Sequence, residues 1–233
     1  MGKVIRVIFA GNIGAGKSVL VNAAASDEYR GLFQEILEEV PRRIAQEEIV
    51  DRNLLQKFAE DQQEYALPFQ TSFLYSSARQ EREVASLDRA LIFRERGIHV
   101  HRWVHGEAQI RLGNLQGARS SLYHSKYEDL SRGTAPDDMY VYLKASAPTL
   151  QERIRLRHRP GEEWLLQNTT YLDLINRLYD DFFRRVAPPV VEVDAERIRL
   201  GPAGLDQGYL RETLRQVAEG IKTCPNYQKE GRE

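Results

Sequence analysis

The alternation of apolar and polar segments along the chain predicts an α/β fold. Five short apolar segments are typical of buried strands, and they cover residues 4–10, 33–40, 90–94, 139–144 and 190–193. Helical periodicity fills the intervals, at about residues 51–87 (as one helix or two), 122–130, 148–157, 171–185 and 208–221. Strands that alternate with helices indicate a parallel sheet covered by helices on both faces. Since ligands of such sheets bind beyond the carboxyl ends of the strands, function is expected just after each strand.

The segment GNIGAGKS (residues 11–18) follows the first predicted strand and precedes a predicted helix. It fits G-x-x-x-x-G-K-S/T, the P-loop pattern, in which glycines let backbone N–H groups turn inward on an anion. The N-terminus of the helix favours the same negative charge. We expect Lys17 at the β and γ phosphates and the Ser18 hydroxyl at Mg²⁺. The rest of this nucleotide site is predicted at Asn12, Ile13, Gly14, Ala15 and Gly16.

Length, charge and cysteine content narrow the class of protein. A chain of 233 residues, 42% of them hydrophobic, can form one large domain, with a C-terminal tail predicted as disordered at about 223–233. The formal net charge of −1 argues against a nucleic-acid partner, and no segment approaches the ~18 apolar residues of a membrane helix. Cys224 is the single cysteine, so no internal disulfide forms. Because the P-loop begins too close to Met1 for a cleaved targeting peptide, we expect a cytoplasmic protein.

Charged residues stand at the ends of two further predicted strands. Glu38 and Glu39 end the second strand, while Glu95 and Arg96 end the third. Phosphoryl transfer needs charge neutralisation, alignment and a group that takes the proton of the attacking hydroxyl. A carboxylate after the second strand is a candidate for that base, and Arg96 is a candidate to brace it or to steady the phosphoryl group. Surface charge at the start of a loop is the alternative interpretation.

The segment ERIRLRHRPGEE (residues 152–163) carries four arginines within seven residues. Arg153 and Arg157 share one face of the predicted helix, while Arg155 and Arg159 share another. The Pro-Gly pair that follows ends the helix. A basic helix end followed by an acidic loop is typical of a lid that closes over a triphosphate, which is predicted at about 153–164. A solvated charged helix is the alternative.

Taken in order, these motifs resemble the deoxynucleoside kinase family. The resemblance spans about residues 4–185 and rests on six segments, which are GNIGAGKS, EEV at the family's Glu-Pro-Val, ALPFQTSFL at its Phe-Gln-Thr helix, FRERG at its Glu-Arg-Ser strand end, YLKASAPTLQERIRLRHRPGEE at its lid, and YLDLINRLYDDFF. It implies a P-loop NTPase fold with a five-stranded parallel sheet and a short arginine-rich lid. It also implies ATP- and Mg²⁺-dependent transfer of the γ-phosphate to the 5′-hydroxyl of a (deoxy)nucleoside, in nucleotide salvage, by a homodimer.

The resemblance implies catalytic roles for individual residues. Glu38 would be the base that activates the 5′-hydroxyl and would contact the substrate there, with Glu39 as the alternative. Glu95 would lie near Mg²⁺ and is the second candidate for the base. Arg96 would hold the region of the 5′-oxygen, and Arg159 would contact the transferred group.

Binding roles follow from the same resemblance. Gln70 would read the edge of the nucleobase, because its amide both donates and accepts hydrogen bonds. Arg153 and Arg157 would contact the phosphates of ATP, and residues 194–197 would lie beside its adenine. Glu162 would reach the 3′-hydroxyl of the sugar, with its neighbour Glu163 as the alternative.

Departures from the family pattern fall mainly on the substrate side. Ala59 stands where the family usually has a tyrosine that hydrogen-bonds the sugar 3′-hydroxyl, so that contact is missing or supplied elsewhere. Ser77 and His101 stand where cytidine- and purine-type members have an arginine and an aspartate. These two residues cannot form that ion pair, so the base preference does not transfer. His101 is either a base contact or an ordinary helix residue.

The aromatic residue that stacks under the base in the family is replaced by Arg42 or Arg43. An arginine plane can stack too, but it changes the charge of the pocket. Such cations also suit a nucleoside monophosphate kinase, which is one alternative function. Others are a kinase-like nucleotide-binding or scaffold protein without turnover, and a P-loop NTPase that hydrolyses without an acceptor. Trp164 and Tyr171 are expected in core or lid packing.

Overall fold

A five-stranded parallel sheet forms the centre of the molecule, as the sequence predicts. The computed structural model describes residues 4–40, 43–46, 51–198 and 206–228. The strands are β1 (Val4–Gly11), β2 (Arg43–Gln46), β3 (Ala90–Glu95), β4 (Met139–Lys144) and β5 (Val190–Asp194). They lie in the order β2-β3-β1-β4-β5, and every neighbouring pair is parallel. The prediction of an α/β fold with five parallel strands is therefore confirmed.

Helices cover both faces of this sheet. They are α1 (Lys17–Ala25), α2 (Gln34–Glu39), α3 (Arg52–Glu60), α4 (Gln62–Ala85), α5 (Ile98–Val100), α6 (Glu107–Arg111), α7 (Ala118–Ser131), α8 (Ala147–Arg157), α9 (Thr169–Phe183), α10 (Gln207–Lys222) and α11 (Pro225–Gln228). A π-helical turn, His101–Gly106, joins α5 to α6. Short 3-10 turns occupy Arg30–Phe33, Glu163–Gln167 and Ala195–Arg197. No helix in the described part of the chain is long and apolar enough to cross a membrane.

The central strand β1 shows why the sequence predicts this sheet so clearly. Seven of its eight residues are buried, since β3 and β4 flank it and helices cover both faces. Strands buried on both faces are continuously apolar rather than alternating. Phe93 of β3 packs its ring against Phe9 of β1 at 6.1 Å and against Phe33 at 5.2 Å. This packing fixes the sheet edge at which the strands end.

The prediction of a strand at residues 33–40 is wrong. This segment contains the end of a 3-10 turn and all of α2. Its buried residues are Phe33, Ile36 and Val40, a spacing of three and four that places them on one face of a helix. The second strand is instead β2, whose last residue, Gln46, pairs with Arg94 of β3. Glu38 and Glu39 therefore end a helix and not a strand.

The C-terminal residues that the structure describes are folded onto the sheet. The Cys224 thiol is buried and donates to the carbonyl of Asp138 at 3.3 Å, and Asn226 donates to the Asp138 carboxylate. Burial is the main cause that raises the pKa of Cys224 to about 12, so this thiol stays protonated. Residues 223–228 of the predicted disordered tail are thus part of the domain, and residues 229–233 lie outside the described residues.

Candidate active site

A cavity of about 510 Å³ opens at the carboxyl ends of β1 and β3. Its walls come from the P-loop, α3, α4, the end of β3, the π-helical turn, and the C-terminal part of α8 with the turn that follows. Most of the residues predicted from the sequence meet there, namely Ile13, Gly14, Gly16, Lys17, Ser18, Gln70, Glu95, Arg96, His101, Arg153, Arg157, Arg159 and Glu162. Asn12, Ala15 and Glu38 do not line it, although the sequence predicts the first two in the nucleotide site and the third as the base.

The P-loop has the backbone that the glycine pattern predicts. Gly14 and Gly16 have φ angles of 83° and 98°, a left-handed conformation that other residues rarely adopt. A methyl group on Gly14 would also lie 3.2 Å from the carbonyl oxygen of Leu150. The turn delivers the chain into α1, whose first residue is Lys17. The Lys17 ammonium donates to the carbonyls of Gly11 and Asn12, at 3.1 and 3.0 Å, and so stays within its own loop.

Asn12 braces the P-loop through its side chain. The Asn12 Oδ1 atom accepts from the backbone N–H of Ile13 at 2.8 Å. Its Nδ2 donates at 2.9 Å to the carbonyl of Leu172 and to the Asn176 side chain, both on α9. Asn12 is buried, so its side chain anchors the loop to a helix from within the protein.

The end of β3 places Glu95 and Arg96 at the cavity. Arg96 has φ 50°, an uncommon conformation for a residue with a side chain, and its backbone N–H donates to the carbonyl of Phe9 at 2.9 Å. Just before them, Arg94 is fully buried and pairs with Glu81 of α4. Glu81 also accepts from Arg6 Nε at 3.1 Å, so one carboxylate serves two guanidinium groups. This buried cluster, which the sequence analysis did not predict, holds α4 against β1 and β3 beneath the cavity.

Arg153 makes different contacts from those predicted. Its guanidinium donates to three backbone carbonyls, those of Gly14 at 3.3 Å and of Ala195 and Ile198 at 2.6 Å. Burial lowers the pKa of Arg153. Its predicted contact with the ATP phosphates stays a prediction. The observed contacts tie the P-loop to residues 195–198, which follow β5.

Arg157 and Arg159 meet Glu162 at the mouth of the cavity. The Glu162 carboxylate is buried and accepts from Arg157 and, at 3.5 Å, from Arg159. His158 ends α8 with φ 46°, and Gly161, with φ 84°, brings the segment against Leu55 of α3. The arginines predicted for phosphate and the carboxylate predicted for sugar thus form one ion-paired cluster. The neighbouring Glu163 is exposed.

An aromatic wall faces the P-loop across the cavity. Phe58 of α3 stacks on Phe69 of α4 at 4.6 Å, and Phe73 stacks on the imidazole of His101 at 4.9 Å with an interplanar angle of 11°. Gln70 is buried beside them, and its Oε1 atom has no hydrogen-bond partner within the described residues. These phenylalanines were not predicted as site residues, although two of them, four residues apart on α4, share one helical face.

The π-helical turn presents two neutral histidines to the cavity. Burial, followed by the charge of Arg96, lowers the pKa of both His101 and His105 well below the usual value. His105 Nε2 lies 3.1 Å from the hydroxyl of Tyr179. Ser77 is buried but does not line the cavity. Arg42 and the side chain of Arg43, the predicted stacking residues, lie outside the described residues.

Glu38 does not fit the role of base in this structure. It is exposed on α2, where Gln34 Nε2 lies 3.4 Å from its carboxylate. A base must come within hydrogen-bond reach of the hydroxyl that it deprotonates, and Glu38 is not part of the cavity wall. Glu38 was predicted to follow the end of a strand, whereas it lies in the helix α2. The observed β2 ends at Gln46, and the sequence continues with Glu47 and Glu48, which lie outside the described residues.

The residues at the P-loop fit a magnesium ion. Ser18 and Glu95 both line the cavity and offer oxygen atoms, the ligands that Mg²⁺ prefers. Mg²⁺ in phosphate-binding sites takes one or two protein oxygens and completes its shell with phosphates and water. The described residues contain no group of three or more His, Cys, Asp or Glu side chains that would make an all-protein metal site.

Comparisons with known proteins point to one family. The family model for deoxynucleoside kinases matches residues 7–213. A probable deoxycytidine kinase of Fowlpox virus (strain NVSL) is 25% identical over 177 residues, which are 75% of this chain and 68% of the viral protein. A protein of Invertebrate iridescent virus 3 that is named as a kinase is 29% identical over 135 residues, 58% of this chain and 67% of its own length.

Solved structures show the same fold. Deoxyadenosine kinase from M. mycoides, with the products dCMP and a flexible dCDP bound, has a TM-score of 0.66 and 21% identity, covering 93% of this chain and 98% of its own. The same enzyme with dATP bound has a TM-score of 0.68 and 21% identity, covering 94% and 100%. The predicted P-loop NTPase fold is therefore confirmed.

Proposed function

Because this chain belongs to the deoxynucleoside kinase family, we propose that it transfers the γ-phosphate of ATP to the 5′-hydroxyl of a deoxynucleoside. The observation that carries the proposal is the composition of one cavity. A P-loop forms one side, and an aromatic wall with the amide of Gln70 forms the other. This wall is uncharged among the described residues, which suits a neutral nucleoside better than a nucleoside monophosphate.

Phosphates of the donor bind at the P-loop in this proposal. The backbone N–H groups, the N-terminus of α1 and Lys17 supply the positive potential. Arg157 and Arg159 add charge once the phosphates draw them from Glu162, which now holds both. Arg153 keeps the P-loop and residues 195–198 in place through its carbonyl contacts.

The nucleobase of the acceptor packs against Phe69 and Phe73, with its polar edge at Gln70. The amide Oε1 of Gln70 then gains the donor that it lacks among the described residues. His101 stacks behind Phe73 as a neutral imidazole, so it adds no charge to the base site. Glu162 lies where the sugar would bind, between the lid arginines and the aromatic wall.

Catalysis requires a base, charge neutralisation and alignment. Glu95 is the candidate base among the described cavity residues, and Glu47 or Glu48 after β2 are the candidates from the sequence. Arg96 lies beside Glu95 and orients the acceptor oxygen. Mg²⁺ held by Ser18 and Glu95 would neutralise charge that develops on the phosphates.

We also propose that the protein is a cytoplasmic homodimer. Tyr75 of α4 and Leu122 of α7 are each 47% exposed, and these two helices pack against each other. Exposed apolar side chains on adjoining helices are a common basis for association between two copies. Sedimentation of the purified protein tests the dimer, since a monomer at micromolar concentration would contradict it. Imaging of the tagged chain tests the compartment.

The function is tested by measuring the ADP that is formed from ATP, with Mg²⁺ present, when possible acceptors are added. The acceptors are the four deoxynucleosides, the four ribonucleosides and their monophosphates. We expect release that depends on a deoxynucleoside and is abolished by Lys17→Ala. Stimulation by monophosphates alone would establish a nucleotide kinase instead, and ATP binding without stimulation by any acceptor would indicate a protein without turnover.

The base is identified by single Glu→Gln substitutions in the same assay. Loss of a general base lowers the rate by about 10²- to 10⁴-fold. We expect a loss of this size for one of Glu95, Glu47 and Glu48, and little change for Glu38→Gln, which is the exposed control. A large loss of rate for Glu38→Gln would contradict the conclusion that Glu38 is not the base.

A further inference from the structure

Two side chains that line the cavity have buried polar atoms of opposite hydrogen-bonding character, and neither atom has a partner among the described residues. The atoms are Oε1 of Gln70, which accepts, and Nε1 of Trp164, which donates. Unsatisfied buried polar groups are rare in folded proteins, because each costs about 1–3 kcal/mol. Two of them with opposite character in one binding cavity suit a ligand that both donates and accepts hydrogen bonds.

The position of Trp164 between the two ends of the cavity follows from a chain of contacts. At the phosphate end, Glu162 is paired with the lid arginines. Two residues later, the Trp164 ring packs edge-on against Phe58 at 5.9 Å and against Tyr171 at 4.8 Å. Phe58 in turn stacks on Phe69, the residue next to Gln70. Trp164 therefore lies between the phosphate end and the base end, which is where the sugar of a nucleoside lies.

Helix α3, which Trp164 contacts through Phe58, offers the sugar no polar side chain from the cavity wall. Helix α3 contributes Leu55 and Phe58 to the cavity, and Ala59 has no polar side-chain atom. Next to α3, the segment that follows α8 supplies two polar side chains, Glu162 and Trp164. A carboxylate accepts hydrogen bonds, whereas an indole N–H only donates. A hydroxyl group both donates and accepts, so a single sugar hydroxyl satisfies the two residues together.

We propose that the indole N–H of Trp164 donates a hydrogen bond to the 3′-hydroxyl oxygen of the sugar, while that hydroxyl donates to Glu162. This proposal rests on the proposed function, because it takes the ligand to be a nucleoside. It makes Trp164 a specificity-determining residue, which favours a sugar with a 3′-hydroxyl over one without it. It also assigns the contact that α3 does not provide.

The test compares a deoxynucleoside with its 2′,3′-dideoxy analogue, using a base that the wild-type protein binds. Trp164→Phe removes the N–H and retains an aromatic ring. The matched control is Trp103→Phe, since Trp103 is the other tryptophan of the chain, is 47% exposed and does not line the cavity. Affinities are measured by calorimetry, so binding is decided even for a protein that does not turn over, and turnover is measured separately.

We expect Trp164→Phe to weaken binding of the deoxynucleoside by about 5- to 30-fold, the effect of one hydrogen bond, and binding of the dideoxy analogue by less than about 2-fold. Trp103→Phe should change neither affinity. Equal weakening of both ligands would show that Trp164 contributes packing only, and no weakening of either would show that it does not contact the ligand. Both results overturn the proposal. Failure of the wild-type protein to phosphorylate any nucleoside that it binds would overturn the proposed function instead.

A second measurement does not depend on the folding of Trp164→Phe. The Trp103→Phe variant retains Trp164 as its only tryptophan, so its fluorescence reports the environment of this indole. A new hydrogen bond from Nε1 to a hydroxyl should shift the emission to longer wavelength with the deoxynucleoside and not with the dideoxy analogue. Identical emission with both bound ligands would contradict the proposed contact.

Discussion

Substitution of Arg153 by methionine should destabilise the protein before any nucleotide is bound. The guanidinium donates to three backbone carbonyls, and two of these bonds, to Ala195 and Ile198, are 2.6 Å long. A hydrogen bond from a charged donor contributes about 1.5–3 kcal/mol to stability, so the two short bonds contribute ~3–6 kcal/mol. The cost of burying the guanidinium, which is 8% exposed, offsets part of this sum.

We therefore expect Arg153→Met to lower the free energy of unfolding by about 2–4 kcal/mol. In a domain of this size 1 kcal/mol corresponds to roughly 2–4 °C, which gives a decrease in the melting temperature of about 5–15 °C. The assay is thermal unfolding of the nucleotide-free protein. The control is Arg155→Met, because Arg155 is exposed on the same helix and should change the melting temperature little.

The alternative role, direct contact with the ATP phosphates, gives the opposite result. If Arg153 served only to bind phosphate, its removal would leave the stability of the nucleotide-free protein unchanged or slightly higher. It would raise only the KM for ATP. An unchanged melting temperature for Arg153→Met would therefore refute the structural role of Arg153. If Arg153 has the structural role, Arg153→Met should lower both the melting temperature and the affinity for ATP. Residues 195–198 then lose their connection to the P-loop at Gly14.

Two further predictions concern the π-helical turn. Burial and neighbouring cations hold the pKa values of His101 and His105 well below ~6.5, their usual value, so both are neutral in the folded state but protonated in the unfolded state at lower pH. The free energy of unfolding should thus fall as the pH drops below ~6.5, by at most ~1.4 kcal/mol per pH unit for each histidine. His101→Phe should make this decline smaller, which thermal unfolding at pH 7.5 and at pH 5.5 measures. Gly106→Ala should destabilise the protein by about 1–3 kcal/mol or more in denaturant unfolding, since a methyl group there would overlap the ring of Tyr123, whereas Gly31→Ala, with open space around it, should be tolerated. A pH-independent stability, or equal effects of the two alanine substitutions, would contradict these arguments.

The sequence predicted the fold well where burial is complete. The strands β1, β3 and β4 are buried along almost their whole length, so their sequences are predominantly apolar and are not mistaken for loops. Of the two edge strands, β5 has three valines in its sequence VVEVD, whereas β2, with the sequence RIAQ, is too short and too polar to stand out. The neighbouring segment at residues 33–40 looked more apolar because α2 buries one of its faces. That confusion between a short buried helix and a strand displaced the predicted base to Glu38.

Residues of the site were predictable where a local motif fixes them and unpredictable where tertiary packing does. The P-loop places Lys17 and Ser18 by its own backbone geometry, and the structure brings both to the cavity. In contrast, nothing local in the sequence distinguishes the carbonyl contacts of Arg153 from a phosphate contact, because their acceptors lie 42 and 45 residues away. The stack of Phe58 on Phe69 likewise depends on how α3 folds back on α4.

The base-facing wall of the cavity comes from one uninterrupted stretch of chain. Helices α3 and α4, the end of β3 and the π-helical turn all lie between β2 and β4 in the sequence, whereas the P-loop precedes β2 and the lid helix α8 follows β4. Under the proposed function, substitutions in α3, α4 and the π-helical turn alter the preferred nucleobase while the P-loop and the lid helix stay as they are. Acceptor recognition can therefore change independently of the P-loop and the lid, by exchange of the stretch from α3 to the π-helical turn, about a quarter of the chain, in which Glu95 and Arg96 are kept.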